Sequence, residues 1–391
     1  MLDERDHRQI GKRLQLFHFQ EEAPGMVFWH PRGFALYRLL EDAVRRQLVV
    51  DGYQEVRTPQ LLRRPIWEAS GHWQSFPEGM FVLEAEQAAL KPVSCPGHVQ
   101  LFQSAAPSYR DLPVRLAELG LVHRDEPSGT LHGLFRLRQF TQDDGHVFCS
   151  PEQVEEEVAR FCRSLFRIYA GFGFEDVAVA LSLRPDKRAG SDATWDRAEA
   201  LLARSARRAS IEPVEQPGGG AFYGPKLEFS LQDRFGRAWQ CGTIQLDFVL
   251  PERFDIRYVG SGGDRLRPVM LHRAVYGSVE RFLGVLLEHH EGRLPAWLSP
   301  EQVVIAPVSA QEQGYAEEIL RALPSVRARV DASGDSLARK VARAHEAGVP
   351  YFVVVGPREV QSRSLSLRAE RRGLSFDEGV VWLEERCRAP F

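Results

Sequence analysis

Along residues 33–50 (GFALYRLLEDAVRRQLVV) apolar positions recur at the three- and four-residue spacing of one helical face, and Gly52 stands where such a helix ends. A second helical pattern opens at Ser150-Pro151-Glu152-Gln153 and runs to about Ala170. There Ser150 fits the N-cap, Pro151 the first helical position and Gln153 the returning partner of a capping box. Residues 237–250 (RAWQCGTIQLDFVL) are rich in β-branched and aromatic types and predict a long buried strand. Residues 268–290 (PVMLHRAVYGSVERFLGVLLEHH) predict a buried helix.

After Gly292-Arg293-Leu294-Pro295-Ala296-Trp297-Leu298-Ser299-Pro300, with its two prolines, the pattern changes. Val303–Val308 predicts a strand, 311–322 a helix, 327–331 a strand, 335–347 a helix and Tyr351–Gly356 a strand. Alternation of this kind predicts a small α/β domain. The expected boundary divides the chain into residues 1–298, which mix helices with β-rich segments, and residues 299–391. No internal repeat interrupts either part.

Composition narrows the class. A chain of 391 residues, 43% hydrophobic and 26% charged, fits a soluble globular protein and excludes a disordered, collagen-like or coiled-coil chain. No apolar run reaches the ~18 residues of a membrane span, and the charged start Met1-Leu2-Asp3-Glu4-Arg5-Asp6-His7-Arg8 is no signal peptide. Five scattered cysteines, at 95, 149, 162, 241 and 387, fit a reducing cytoplasm better than a disulfide framework. The net charge of −3 speaks against a broad nucleic-acid-binding surface, yet it leaves room for a local patch. Of 50 basic residues only Lys12, Lys91, Lys187, Lys226 and Lys340 are lysines. The C-terminal part is balanced, with 13 basic and 13 acidic residues.

Three constellations carry candidate chemistry. Arg124 and Glu126, two apart in Val122-His123-Arg124-Asp125-Glu126-Pro127, face the same side of an extended segment, and Arg136 through Asp144 forms a return strand. They fit either a surface hairpin with ordinary charge pairs or a site that meets a phosphate and an adenine amino group, an aromatic stacking on the base. Arg281, in the apolar stretch Gly277-Ser278-Val279-Glu280-Arg281-Phe282, needs either a structural carboxylate or a polyphosphate. Cys95, His146 and His272 are widely separated; they are either unrelated or three ligands of a zinc site with one open position.

Together these residues resemble the threonyl-tRNA synthetases, a family of class II aminoacyl-tRNA synthetases. The resemblance runs from Arg5 to about Gly373 and rests on blocks in the family's order. They include EEAPGMVFWH (21–30), CPGHVQLF (95–102), SYRDLPVR (108–115), HRDEPSG (123–129), FTQDDGHVF (140–148), FYGPK (222–226), AWQCGTIQLDF (238–248) and HRAVYGSVERF (272–282). It implies an α+β fold: a six- to seven-stranded antiparallel sheet ringed by helices, then a small α/β anticodon-binding domain. The helix and strand ending at Pro59 match the first class II motif, which implies a homodimer.

The resemblance also implies the reaction: activation of L-threonine by ATP, with Mg2+, and transfer to tRNA(Thr). Arg124 then holds the α-phosphate, Glu126 reads the adenine amino group, Phe140 stacks on adenine and Arg136 binds the outer phosphates. Arg281 matches the third-motif arginine, and Gln240 and Thr243 complete the ATP set. Cys95, His146 and His272 match the ligands of one Zn2+ per chain, which in the family binds the amino group and hydroxyl of threonine. Asp144 accepts from that hydroxyl; Gln142, Tyr223, Cys241, Thr243 and Gln245 line the amino-acid pocket, and Lys226 beside it is a candidate catalytic point charge. His72, in Ser70-Gly71-His72-Trp73, is the candidate for proton transfer at the tRNA ribose.

The sequence departs from the family in three places. Typical bacterial members carry an N-terminal editing domain, whereas this chain begins at the catalytic core; the expectation is that it forms Ser-tRNA and does not clear it alone. Glu359 and Arg368 occupy anticodon-contact positions, but Ser333-Gly334-Asp335-Ser336-Leu337-Ala338 replaces the usual Arg-Asn-Glu-Lys-Ile-Gly stretch. Arg339-Lys340 and Arg371-Arg372 remain as phosphate contacts, and weakened or altered anticodon reading is expected. Phe135 and Gln139 stand where methionine and glycine are usual. Two further readings remain: a specialised or inhibitor-tolerant copy serving a biosynthetic pathway, and a non-catalytic regulatory paralogue, which the retained arginines and Cys/His set disfavour.

Overall fold

The structure is a computed structural model describing residues 3–75, 77–233, 235–368 and 372–391. Contacts group the chain into two units. One comprises Phe19–Val27, Leu40–Val285 and Phe391; the other comprises Met1–His18, Phe28–Leu39 and Leu286–Pro390. The position 298/299 thus falls inside the second unit. Two hydrogen bonds tie N-terminal residues to that unit: His7 Nδ1 to Glu288 Oε1 at 2.7 Å and Arg32 Nη2 to the Ala347 carbonyl at 2.7 Å.

The first unit is built on eight strands: β1 (Gln54–Glu55), β2 (Val114–His123), β3 (Gln139–Cys149), β4 (Ala178–Ser182), β5 (Val214–Gln216), β6 (Lys226–Gln232), β7 (Ala238–Asp247) and β8 (Val269–Ala274). Their spatial order is β5-β4-β6-β7-β8-β3-β2-β1. The six central strands are antiparallel, as expected. A short parallel strand closes each edge, β5 on β4 and β1 on β2, which brings the sheet to eight. Both parallel pairs are joined by long helix-bearing connections, the only kind that returns a strand in the same direction.

Helix α1 (Pro31–Val50) begins two residues before the periodic segment and buries Leu36, Leu40, Ala43, Val44 and Leu48. Helix α2 (Cys95–Ala105) precedes the long hairpin β2–β3. Helix α3 (Val154–Gly171) is entered through one tight turn, Pro151–Gln153, where Gln153 Oε1 accepts from the Ser150 N–H at 2.9 Å. Helix α4 (Asp192–Arg208) makes the β4–β5 crossover, and the short helix α5 (Val249–Arg253) follows β7.

Residues 268–290 are not one helix. They form β8, a turn, and helix α6 (Val279–His289). All six residues of β8 are buried, because it lies between β7 and β3 in mid-sheet. A strand covered on both faces shows no alternation, so its apolar run reads like a buried helix. Gly277 makes the break: its φ is +70°, and a Cβ there would lie 2.5 Å from the Cys241 carbonyl oxygen. Helices α2 and α5 cover one sheet face through a core that includes Cys95, Val99, Phe102, Leu116, Phe148, Leu250 and Met270.

The second unit contains a five-stranded sheet of β9 (Val303–Pro307), β10 (Ala328–Val330), β11 (Tyr351–Val355), β12 (Ser364–Leu367) and β13 (Arg372–Ser375), ordered β10-β9-β11-β12-β13. The first three are parallel, linked by helices α7 (Gln313–Arg321) and α8 (Leu337–Glu346), as the alternating pattern predicts. Two antiparallel strands extend them.

Candidate active site

Strand register assembles the site. Lys226 pairs with Gln245, Gln245 with His272 and His272 with His146, so four side chains from β6, β7, β8 and β3 stand in one row on one face. Period two adds Gln142 and Asp144 from β3 and Thr243 from β7 to that face. A bulge in β7 sets Gln240 opposite Ser230 after Gly242 pairs with Phe229, which returns Gln240 to the same face.

Cys95, at the start of α2, completes a buried cluster with His146 and His272; their ligand atoms all lie within 4.8 Å of one another. His146 Nε2 is 3.0 Å from His272 Nδ1. The remaining nitrogens are anchored outward, His272 Nε2 to Asp247 Oδ2 at 2.8 Å and His146 Nδ1 to His98 Nδ1 at 2.7 Å. Burial pushes the Cys95 thiol well above its usual range and the His146 imidazole well below. One thiolate and two imidazoles, each imidazole with an outer partner, are a donor set that fits zinc.

Polar groups around the cluster face inward. Asp144 Oδ2 accepts from the Ser94 N–H at 3.3 Å, and Oδ1 is 3.7 Å from His146 Nε2. Tyr223 donates to Gln245 Oε1 at 2.7 Å and stacks its ring on His272 with centroids 4.9 Å apart. Ser94 Oγ and Gln142 Oε1 are buried with no hydrogen-bond partner among the described residues. Cys241 is buried, and burial raises its thiol to about 12.

Beside this pocket lies a cavity of about 160 Å³ lined by Arg124, Glu126, Arg136, Phe140, Ser278 and Arg281, among others. Three guanidiniums face one carboxylate, and that carboxylate is taken: Glu126 Oε2 pairs with Arg136 Nη2 at 2.7 Å. Arg124 lies over the Phe140 ring at 5.1 Å and donates to the Pro92 carbonyl. Arg281 donates to the carbonyls of Phe135 at 3.0 Å and Gln240 at 3.2 Å, with no carboxylate partner among the described residues. Desolvation lowers the pKa of both Arg124 and Arg281. A cavity with two half-buried guanidiniums that meet no carboxylate among the described residues, and an aromatic wall, suits a polyphosphate bearing a planar base.

Residues 81–290 match the tRNA synthetase class II core domain family (G, H, P, S and T), and residues 302–385 match the anticodon binding domain family. The chain belongs to the class II tRNA synthetase family. A threonine–tRNA ligase of Cupriavidus necator is 53% identical over 383 residues, 97% of this chain and 60% of that protein. One from Caulobacter vibrioides is 51% identical over 391 residues, covering 99% and 59%. The chain spans about 60% of the length of the curated relatives it matches. Among solved structures, the RNA binding domain of threonyl-tRNA synthetase from Cryptosporidium parvum superposes with a TM-score of 0.94 at 38% identity, over 99% of both chains.

In this synthetase fold His72 opens a single helical turn, His72–Ser75, with Nδ1 2.8 Å from Ser70 Oγ. Burial, then the nearby charges of His272, Arg124 and Arg253, lower it to about 4. Lys226 pairs with Glu228 at 2.8 Å. In the anticodon-type domain Glu359 caps the Gly356 N–H and accepts from Ser366 Oγ, both at 2.8 Å, while Arg368 is exposed. Lys340 departs from its expected surface role. It is buried on the inner side of α8 and donates to the Pro307 carbonyl at 2.9 Å, whereas Arg339 is exposed. Arg371 and the side chain of Arg372 lie outside the described residues.

Sequence reasoning misses four supporting residues: Lys91, His98, Glu118 and Asp247. Two carry a signal. Lys91 is one of only five lysines, and His98 follows Cys95 by one helical turn.

Proposed function

We propose that the chain acts as a threonine–tRNA ligase, converting L-threonine and ATP to threonyl-adenylate and pyrophosphate and then transferring the threonyl group to tRNA(Thr). The observation that carries this reading is the joining, in one sheet unit, of a buried Cys95–His146–His272 cluster and a cationic cavity walled by Phe140. The synthetase family and the threonine–tRNA ligase relatives support it.

In the first step a carboxylate oxygen of threonine attacks the α-phosphorus of ATP, and the bond to pyrophosphate breaks. Arg124 holds the α-phosphate, Arg136 the outer phosphates, and Arg281 the nucleotide, with Mg2+ accompanying ATP. Phe140 stacks on adenine, Glu126 reads its amino group, and Gln240 and Thr243 complete this end of the site. Such chemistry needs positioned cations more than a covalent catalyst. Zinc bound to Cys95, His146 and His272 supplies a Lewis-acidic point for the amino group and hydroxyl of threonine. Asp144 accepts from the hydroxyl, and Gln142, Tyr223, Cys241 and Gln245 enclose the side chain, with Lys226 at the margin. Valine leaves Asp144 unmet and is strongly rejected; serine lacks only a methyl, worth about 1–3 kcal/mol. In the second step His72, neutral at physiological pH, takes the proton of the tRNA ribose hydroxyl that displaces AMP.

Residues 299–391 serve as the anticodon-binding part, with Glu359 and Arg368 at the bases, and residues 1–298 as the catalytic part. Helix α1 and the following segment to Pro59, in which only β1 (Gln54–Glu55) and not the stretch up to Pro59 is strand, form a homodimer interface, and the enzyme works in the cytoplasm. The test is amino-acid-dependent ATP–pyrophosphate exchange with threonine, serine and valine, before and after zinc removal. Threonine and serine support exchange, valine does not, and chelation abolishes it. Exchange that survives complete zinc loss refutes the metal's role; no exchange with any of the three refutes the ligase.

A further inference from the structure

Behind the Cys95–His146–His272 cluster lie four polar side chains that the steps above do not use. Lys91, Thr58, Glu118 and His98 are all buried. Lys91 Nζ donates to Glu118 Oε1 at 2.7 Å and to Thr58 Oγ1 at 2.9 Å. Thr58 Oγ1 donates to Glu118 Oε2 at 2.8 Å. His98 places Nε2 3.4 Å from Glu118 Oε2 and Nδ1 2.7 Å from His146 Nδ1.

The direction of this chain follows from its first member. An ammonium only donates, so the Thr58 hydroxyl, having accepted from it, turns its hydrogen to Glu118. The Glu118 carboxylate only accepts, so His98 carries its proton on Nε2. His98 Nδ1 is then a lone pair, and His146 must carry its proton on Nδ1. That leaves a lone pair on His146 Nε2. On the other side Asp247 Oδ1 accepts from the N–H groups of Val249 and Leu250, and Oδ2 accepts from His272 Nε2, which leaves a lone pair on His272 Nδ1. Two lone pairs thus face each other at 3.0 Å, an arrangement that a cation between them satisfies.

We propose that Lys91, Thr58, Glu118 and His98 form a positioning relay that fixes His146 in the tautomer presenting Nε2 to a divalent metal ion. The inference rests on the zinc reading given above. His98 suits the task because it follows Cys95 by one turn of α2, so one helix supplies a ligand and the support of another. His272 has a carboxylate as its outer partner; the outer nitrogen of His146, Nδ1, reaches a carboxylate through His98. Glu118→Gln inverts the relay without changing its shape. Lys91 Nζ and the Thr58 backbone N–H both donate to the Oε1 position and keep the amide oxygen there, so the NH2 falls at the Oε2 position, donating toward His98 Nε2 and the Thr58 hydroxyl; His98 then carries its proton on Nδ1 and His146 its proton on Nε2.

The experiment uses the full chain, stripped of metal and titrated with Zn2+ against a chromophoric chelator, with Co2+ absorption as a second readout. Wild type binds one equivalent with the absorption of a four-coordinate site. His98→Leu and Glu118→Gln weaken zinc about 10- to 100-fold and alter the Co2+ bands. Thr58→Val weakens it less. Arg115→Gln, which breaks the separate Arg115–Glu157 pair, lowers stability and leaves metal affinity unchanged. Folded His98→Leu protein with wild-type zinc affinity and Co2+ spectrum overturns the relay; if Glu118→Gln does not fold, His98→Leu and Thr58→Val decide. Wild type that takes up no zinc overturns the zinc reading itself.

Discussion

The Lys91–Glu118 pair gives the structure a measurable acid sensitivity. Burial opposes ionisation of Glu118, but hydrogen bonds from His98, Lys91 and Thr58 outweigh it and hold the carboxyl at about 2, against an ordinary 4.5. A carboxyl whose pKa is depressed by folding stabilises the native state above its unfolded pKa and loses that contribution as pH falls toward its folded one. At 1.36 kcal/mol per pH unit the gap is worth about 3 kcal/mol at pH 7 and about 1.4 kcal/mol at pH 3. The reference is Lys91→Met/Glu118→Gln, which removes both charges and keeps the volumes. Urea unfolding of both proteins, metal-stripped, at pH 7, 5, 4 and 3 yields their stability difference at each pH. Carboxylates remote from the pair titrate alike in the two, so the change in that difference reports Glu118 together with its neighbours Asp144 and His98. It should shift by about 2 kcal/mol in disfavour of wild type between pH 7 and pH 3, most of it below pH 4.5. The single variant Lys91→Met strands a buried carboxylate and should cost about 3–5 kcal/mol at pH 7, more than the double variant. A difference flat to within about 0.5 kcal/mol from pH 7 to pH 3 refutes the reasoning.

Arg281→Met breaks no ion pair, so ligand-free stability should stay within about 1 kcal/mol of wild type by thermal unfolding, while ATP–pyrophosphate exchange falls about 100-fold or more. Gly277→Ala puts a Cβ 2.5 Å from the Cys241 carbonyl at φ +70° and should cost about 2–4 kcal/mol by denaturant titration. His72→Ala should leave threonine-dependent exchange intact and slow transfer to tRNA about 100-fold in single-turnover assays. With His72 lowered to about 4 by burial, the wild-type transfer step should show no inflection near the ordinary histidine range. Anticodon-swapped and native tRNA(Thr) should be charged alike; strict dependence on the native anticodon counts against the reading of residues 333–338.

What the sequence disclosed, and what it hid, follows from contiguity. Arg124, Glu126, Arg136 and Phe140 sit in one hairpin segment and line a single cavity; spacing left a surface hairpin open, and the family motif alone pointed to a shared site. The two fates left open for Arg281 were decided by neighbours far along the chain: its partners are the carbonyls of Phe135 and Gln240, not a carboxylate. His272 was placed on a helix because a strand buried on both faces carries no period-two signal. Gln240 reaches the site face only because of the bulge after it, which no local pattern announces. The groups supporting His146 and His272 come from α2, β2 and the end of β7. Such outer partners are chosen by sheet register, which a linear reading does not supply.

The net charge of −3 says little about anion binding, because the pairing of individual cations carries the information. In the sheet unit Lys91, Arg115 and Arg273 are largely buried and each meets a carboxylate: Glu118, Glu157 and Asp143. Arg124 and Arg281 lie in the same unit with carbonyls and an aromatic ring for company. Stripping water from a guanidinium without a counter-charge is costly, so these two positions are stabilised when an anion enters. In the second unit the altered stretch does the opposite. Arg343 is tied to Asp331 at 2.6 Å, to Asp335 at 2.8 Å and to Ser333 at 3.0 Å, so its charge is spent inside the fold. This arrangement leaves Arg124 and Arg281 for an incoming anion, while Arg343 is held in internal bonds and Arg339 stays exposed; under the proposed function, activation should then be robust while anticodon reading is relaxed.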